Sequence, residues 1–143
     1  MNIAQILKAK GRAVATARPD ATLLEIVNKL AQKKIGAIVI VGDHGEVAGI
    51  ISERDVIRRL GELGAQALLE PVSQCMTSSV ISCHETSTLD EMMEVMTQGR
   101  FRHVPVLEDG ALVGIVSIGD IVKHHIAEVE MEVTAMRGYF VTG

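Results

Sequence analysis

Gly49-Ile50-Ile51-Ser52-Glu53-Arg54-Asp55 and Gly114-Ile115-Val116-Ser117-Ile118-Gly119-Asp120 share one skeleton: glycine, isoleucine, a β-branched residue, serine and, three places on, aspartate. The apolar run reads as the end of a buried strand. The Ser-x-x-Asp reads as a helix start, because a hydroxyl at the N-cap and an acid at the third helical position both satisfy free backbone amides. A single copy is a helix start and nothing more. Two copies in 143 residues point to a duplicated chain.

Working outward, an offset of 66 places Val14 on Val80, Thr22 on Thr88, Leu23 on Leu89, Glu25 on Glu91, Gln32 on Gln98 and Asp43 on Asp109. One residue is then lost in the second turn, and an offset of 65 places Gly45 on Gly110, Gly49 on Gly114, Ser52 on Ser117 and Asp55 on Asp120. Each unit opens with a short strand (residues 14–16 or 80–82). A capping box follows, Thr22 with Glu25 or Thr88 with Glu91. It starts a helix with apolar residues at helical spacing: Leu23, Ile26, Val27 and Leu30, or Leu89, Met92, Met93 and Met96. A buried strand (37–41 or 103–107), a polar turn and a third strand (47–51 or 112–116) lead into the Ser-x-x-Asp helix. The order is β-α-β-β-α, twice, an α+β fold of two units packed around a pseudo-twofold axis, with additional N-terminal and C-terminal helices. Residues 60–79, carrying Gly61, Gly64 and Pro71, read as the connection. The expected divisions are 1–65, the first repeat with the N-terminal helix; 66–127, the second repeat; and 128–143, a helical tail.

Composition narrows the function. Hydrophobic residues make up 48% but aromatics only 2%, so the core is aliphatic and a flat ligand is expected to lie between aliphatic side chains. A net charge of −4 argues against nucleic acid as a partner, although a local basic patch is compatible with it. Cys75 and Cys83 have neither zinc nor redox spacing and read as inert thiols in a reduced, cytoplasmic setting. No signal peptide is read in the N-terminal residues, and no apolar run reaches membrane-spanning length. The sequence offers no catalytic triad, phosphate loop or paired acids, so no enzyme is expected, and no metal: His124 and His125 are adjacent on a helix and face different ways.

The duplicated motif, the Arg102-His103-Val104-Pro105-Val106 stretch and the Met76-Thr77 lead-in to the second unit together resemble the tandem cystathionine β-synthase (CBS) domain pair, or Bateman module, over about residues 10–127. The resemblance implies a cleft between the repeats that binds adenosine ligands (AMP, ADP, ATP, sometimes NAD(H) or S-adenosylmethionine) and reports energy or redox state to a regulated protein. It also implies a homodimer. Carried onto this chain, it implies nucleotide contacts at Thr16, Lys34, Ala37, Ser52, Arg54 and Asp55, and at Ser82, Arg100, Arg102, His103, Val104, Ser117, Gly119 and Asp120, with Asp55 and Asp120 on ribose.

Capping alone explains Ser52 and Asp55. The same geometry also builds a ligand site, because a helix N-terminus attracts anions and an ionised aspartate accepts from a vicinal diol. Phosphate needs cations, and the repeats differ there: Arg54 is matched by Gly119 and Arg102 by Gly36, while Lys34 matches Arg100. Lys33, Lys34 and Arg100 also suit a solvated helix C-terminus. After the second repeat, Val122, Ile126, Val129, Val133, Met136 and Phe140 recur at four- and three-residue spacings. That stripe either folds back on its own module or meets a second subunit. An interaction module with a vestigial, ligand-free cleft is the alternative function.

Overall fold

The computed structural model describes residues 1–142, with side chains described through Gly138. In chain order the elements are α1 (Ile3–Lys10), β1 (Thr16–Ala17), α2 (Leu23–Lys33), β2 (Ala37–Val41), β3 (Val47–Ser52), α3 (Glu53–Leu63), two short 3-10 helices (Gly64–Leu69 and Val72–Gln74), α4 (Leu89–Gly99), β4 (His103–Glu108), β5 (Ala111–Ser117) and α5 (Ile118–Thr142).

The caps set the helices. Thr22 Oγ1 accepts from the Glu25 amide at 3.2 Å, and Thr88 Oγ1 from the Glu91 amide at 3.1 Å. α2 buries Leu23, Ile26 and Leu30, and α4 buries Leu89, Met92 and Met96 at the same places in the repeat. Both helices end on a cation in the left-handed region, Lys34 (φ 53°) and Arg100 (φ 58°). That conformation costs a non-glycine residue about 1 kcal/mol. Each helix leads into an antiparallel hairpin, β2 with β3 from Ala37↔Ser52 to Ile40↔Gly49, and β4 with β5 from His103↔Ser117 to Val106↔Gly114.

The first sheet has a third strand, with β1 parallel to β2. The expected strand at 80–82 does not form; only Cys83 bridges Val106. Proline explains the loss. In the first repeat the Val39 amide donates to the Ala15 carbonyl at 3.1 Å. The residue matching Val39 is Pro105, which has no N–H to give Ile81, so pairing starts only at Cys83, whose amide donates to the Pro105 carbonyl at 3.0 Å.

The segment leading into each repeat packs on the other repeat. α1, grouped with the first repeat by chain order, instead puts Ile3, Ile6 and Leu7 into the second core beside Cys83, Leu89, Met92, Met96, Val104, Val106, Val116 and Ile121. The second repeat's lead-in returns the arrangement, with Ala67 and Val72 in the first core among Leu23, Ile26, Ile38, Ile40 and Ile51. The hydrogen bonds match: Ile3 N to Ser87 O (3.0 Å) and Ala4 N to Glu85 O (2.9 Å) parallel Val72 N to Ala21 O (2.7 Å) and Ser73 N to Pro19 O (3.1 Å).

This exchange explains the glycine of the motif. A Cβ at Gly49 would lie 2.6 Å from Met76 Sδ and 2.9 Å from the Thr77 carbonyl oxygen, and one at Gly114 would lie 2.7 Å from Leu7 Cδ2. The residue must be bare because the other repeat's lead-in crosses it.

The tail is not a separate element. α5 runs unbroken for 25 residues, about 37 Å at 1.5 Å per residue. Ile121 is fully buried, whereas Val122, Ile126, Val129, Val133 and Met136 are 41–60% exposed. The stripe therefore does not fold back onto its own repeats as far as Met136, and Phe140 has a side chain outside the described residues.

Candidate functional site

The two motifs end their strands with the same local chemistry. Ser52 N donates to Asp55 Oδ2 at 2.9 Å, and the Asp55 amide returns to Ser52 Oγ at 3.3 Å. Ser117 N donates to Asp120 Oδ2 at 2.8 Å, and the Asp120 amide to Ser117 Oγ at 3.1 Å. Capping is thus real at both sites, and it uses one carboxylate oxygen of each aspartate.

The open ends of the two hairpins are closed in the same way and come together between the repeats. Glu53 N donates to the Gly36 carbonyl at 3.0 Å, and Ile118 N to the Arg102 carbonyl at 2.8 Å. His103 from the second repeat lies against Gly36 of the first, where a Cβ would come within 3.2 Å of its Nε2. Burial lowers the His103 pKa from 6.5, opposed by Glu53 and reinforced by Lys10. Its Nδ1 is buried with no hydrogen-bond partner among the described residues.

A cavity of about 620 Å³ opens beside this contact, between the start of α3 and the α4–β4 turn. Ser52, Arg54, Asp55, Arg100, Arg102, His103, Ser117 and Gly119, all expected from the sequence, line it. Four guanidinium groups (Arg54, Arg58, Arg100 and Arg102) face two carboxylates, Glu53 and Asp55, leaving a positive surplus in a chain of net charge −4. Asp55 Oδ1 has a distant ion pair, 3.9 Å from Arg58 Nη1, whose side chain is 72% exposed.

The other expected residues lie elsewhere. Val104 is fully buried in the second core, and Ala37, 7% exposed, starts β2. Thr16 sits in β1, its carbonyl accepting from Lys29 Nζ at 2.5 Å. Ser82 is exposed in the irregular segment before Cys83. Lys34 borders a separate, largely apolar groove with Val27, Leu30, Ile35, Val56 and Leu60. Asp120 is taken up by Lys10, whose Nζ donates to its Oδ2 at 2.8 Å and to the Ile115 carbonyl at 2.9 Å.

Sequence reasoning did not single out Arg58, Thr77, Ser79, Ile81 and Phe101, which also line the cavity. Arg58 was readable one helical turn beyond Arg54 on α3. Thr77 and Ser79 enter through the exchanged lead-in: Met76-Thr77 was legible as the start of the second unit, but not its crossing onto the first motif at Ile50. Phe101 corrects the expectation of a purely aliphatic site, because an aromatic edge is available.

Fold and cleft define a two-repeat α+β module with a cationic inter-repeat cavity. The CBS domain profile matches residues 10–62 and 72–126, so the chain belongs to the CBS domain family as a tandem pair. A CBS-domain-containing protein from Agrobacterium tumefaciens superposes with a TM-score of 0.85 at 46% identity, covering 87% of this chain and 99% of that one. The CBS domain pair of protein MJ0100, in complex with 5′-methylthioadenosine and S-adenosyl-L-methionine, gives 0.80 at 26% identity, covering 90% and 98%. A CBS domain protein from Pyrobaculum aerophilum complexed with AMP gives 0.75 at 26% identity, covering 84% and 89%. Among the described residues no helix is long and apolar enough to cross a membrane.

Proposed function

We propose that the chain is a non-catalytic regulatory module that takes a phosphorylated adenosine nucleotide into the cleft between its repeats and passes occupancy to a partner protein. The observation that carries this reading is the meeting, in one cavity, of a capping aspartate whose second oxygen has only a distant ion pair, a helix N-terminus and four arginines. Asp55 Oδ1 suits a ribose hydroxyl, and the α3 N-terminus and guanidinium groups suit phosphate. Ile50, Val80, Ile81 and Phe101 offer apolar surface to a base. The volume, about 620 Å³, falls within the range of small-molecule sites.

Charge selects within the adenosine ligands. The neighbours bind AMP in one case and 5′-methylthioadenosine with S-adenosyl-L-methionine in the other. A sulfonium brings positive charge to a cavity already in positive surplus, so phosphate-bearing ligands (AMP, ADP, ATP or NAD(H)) are favoured over it. The reading includes a homodimer, supported by the exposed α5 stripe, and a cytoplasmic setting, supported by two free thiols.

Mass spectrometry of nucleotide carried through purification, with calorimetry against AMP, ATP, NADH, adenosine and S-adenosyl-L-methionine, tests the proposal. AMP is expected to bind more tightly than adenosine, and Arg102→Ala to weaken AMP more than adenosine. Equal losses on both ligands would leave Arg102 a purely structural residue. No binding of any of the five would favour an interaction module working through α5.

A further inference from the structure

The duplicated motif provides two aspartates, and the exchanged lead-ins treat them differently. Leu7 and Met76 occupy equivalent places, each lying over the glycine of a motif. Three residues further along each lead-in stand Lys10 and Ser79. At the first motif the lead-in is extended: Thr77 N donates to the Ile50 carbonyl at 2.9 Å, and Ser79 lines the cavity beside Asp55. At the second motif the lead-in is helical, and its backbone makes no such bond to Ile115 among those described. The Lys10 ammonium replaces that donor, reaching the Ile115 carbonyl at 2.9 Å, and it also pairs with Asp120.

The pair is half-buried, Lys10 being 32% and Asp120 24% exposed, so water screens it less than an open surface pair. Burial alone would raise the Asp120 pKa. The Lys10 bond and the Ser117 amide outweigh burial and hold the carboxyl below its usual value. Asp55 has no lysine: its nearest cation is Arg58 at 3.9 Å. Capping is alike at the two sites, so the difference between the two carboxylates comes from Lys10.

We infer that Lys10 is a built-in competitor at the second Ser-x-x-Asp site, its ammonium holding Asp120 where a ligand hydroxyl would bind, so that the chain takes one nucleotide although its motif is duplicated. The inference rests on the nucleotide reading above. A ligand entering at Asp120 has to displace the ammonium from both acceptors, and the Asp55 site fills first.

Calorimetry of the full-length chain with AMP reads this directly as stoichiometry. The wild type is expected to bind one AMP per chain. Lys10→Met, which keeps the stem and removes the charge, is expected to bind two. Lys10→Gln, whose amide retains a donor for the Ile115 carbonyl, should also bind two, and it guards against a variant that fails to fold. Lys8→Met, a change on the exposed face of the same helix, should bind one. Two equal sites in the wild type, or one site in folded Lys10→Met and Lys10→Gln, would overturn the role of Lys10 while leaving nucleotide binding intact. No binding by the wild type or either Lys10 variant would overturn the nucleotide reading itself, and this inference with it.

Discussion

Asp55 serves the fold with one oxygen and, in our reading, the ligand with the other. Asp55→Ala should weaken AMP by about 1.5–3 kcal/mol, the range for a lost hydrogen bond to a charged group. Calorimetry beside a thermal melt separates this from the cap, because a loss of melting temperature with unchanged affinity would confine Asp55 to capping. His103 gives a pH signature. Burial lowers its pKa below 6.5, so beneath that pH the unfolded chain binds a proton that the folded chain refuses. Stability from this group is therefore complete above about pH 6.5 and falls as the pH drops below it. Urea midpoints at pH 7.5 and 5.5 should fall less in His103→Gln than in the wild type; parallel falls would place the titration elsewhere. Asp120 acts in a lower window, because its depressed pKa keeps its contribution present above 3.8 and loses it only below. At this scale the sequence was most legible where chemistry is local. Ser52 with Asp55 and Thr88 with Glu91 are neighbours along the chain, and their partners needed no tertiary knowledge. Lys10 lay outside the aligned repeats, so no counterpart flagged it.

Among the elements, the lead-ins decide what the motif glycines tolerate. Gly49→Ala and Gly114→Ala should each destabilise the fold by about 1–3 kcal/mol, the usual cost of overpacking. Gly49→Ala should be the worse, because one of its clashes is with the Thr77 backbone, whereas Leu7 over Gly114 is a side chain that can turn. Denaturant melts check the order, and a harmless Gly49→Ala would mean that the lead-in can slide. The sequence also fixes why one sheet has three strands and the other two: Pro105 was visible, but its effect depends on a parallel partner that periodicity does not reveal. Nor does an apolar stripe say which repeat it packs on. Ile3, Ile6 and Leu7 read as a helix face, and only the folded chain assigns that face to the second core.

For the molecule as a whole, α5 leaves six large apolar residues from Val122 to Met136 at 41–68% exposure, all but Met131 on the stripe. Going from full exposure to full burial is worth roughly 1.5–3 kcal/mol for such a side chain, and about half of that is still to be gained at each, which sets against the cost of association a gain that grows because a twofold contact buries the stripe on both copies. We expect a dimer at micromolar concentration and a folded monomer from a chain ending before Ile126. Sedimentation decides it; a truncated chain that remains dimeric would remove α5 from the interface. The 4-3 spacing of this stripe was legible, but whether it met its own module or another surface was a tertiary question.

The crossing of the lead-ins bears on how the chain comes to be folded at all. Neither half carries all of its own interior: residues ending near position 66 leave the α1 face without its pocket, and residues starting there leave that pocket empty. As the chain leaves the ribosome, the first half waits for Ala67 and Val72 before its core is closed, and α1 waits longer still, until β5 has been made. The two repeats should consequently melt as one cooperative unit, and two separately expressed fragments, divided near residue 66, should each be poorly ordered alone and regain structure on mixing.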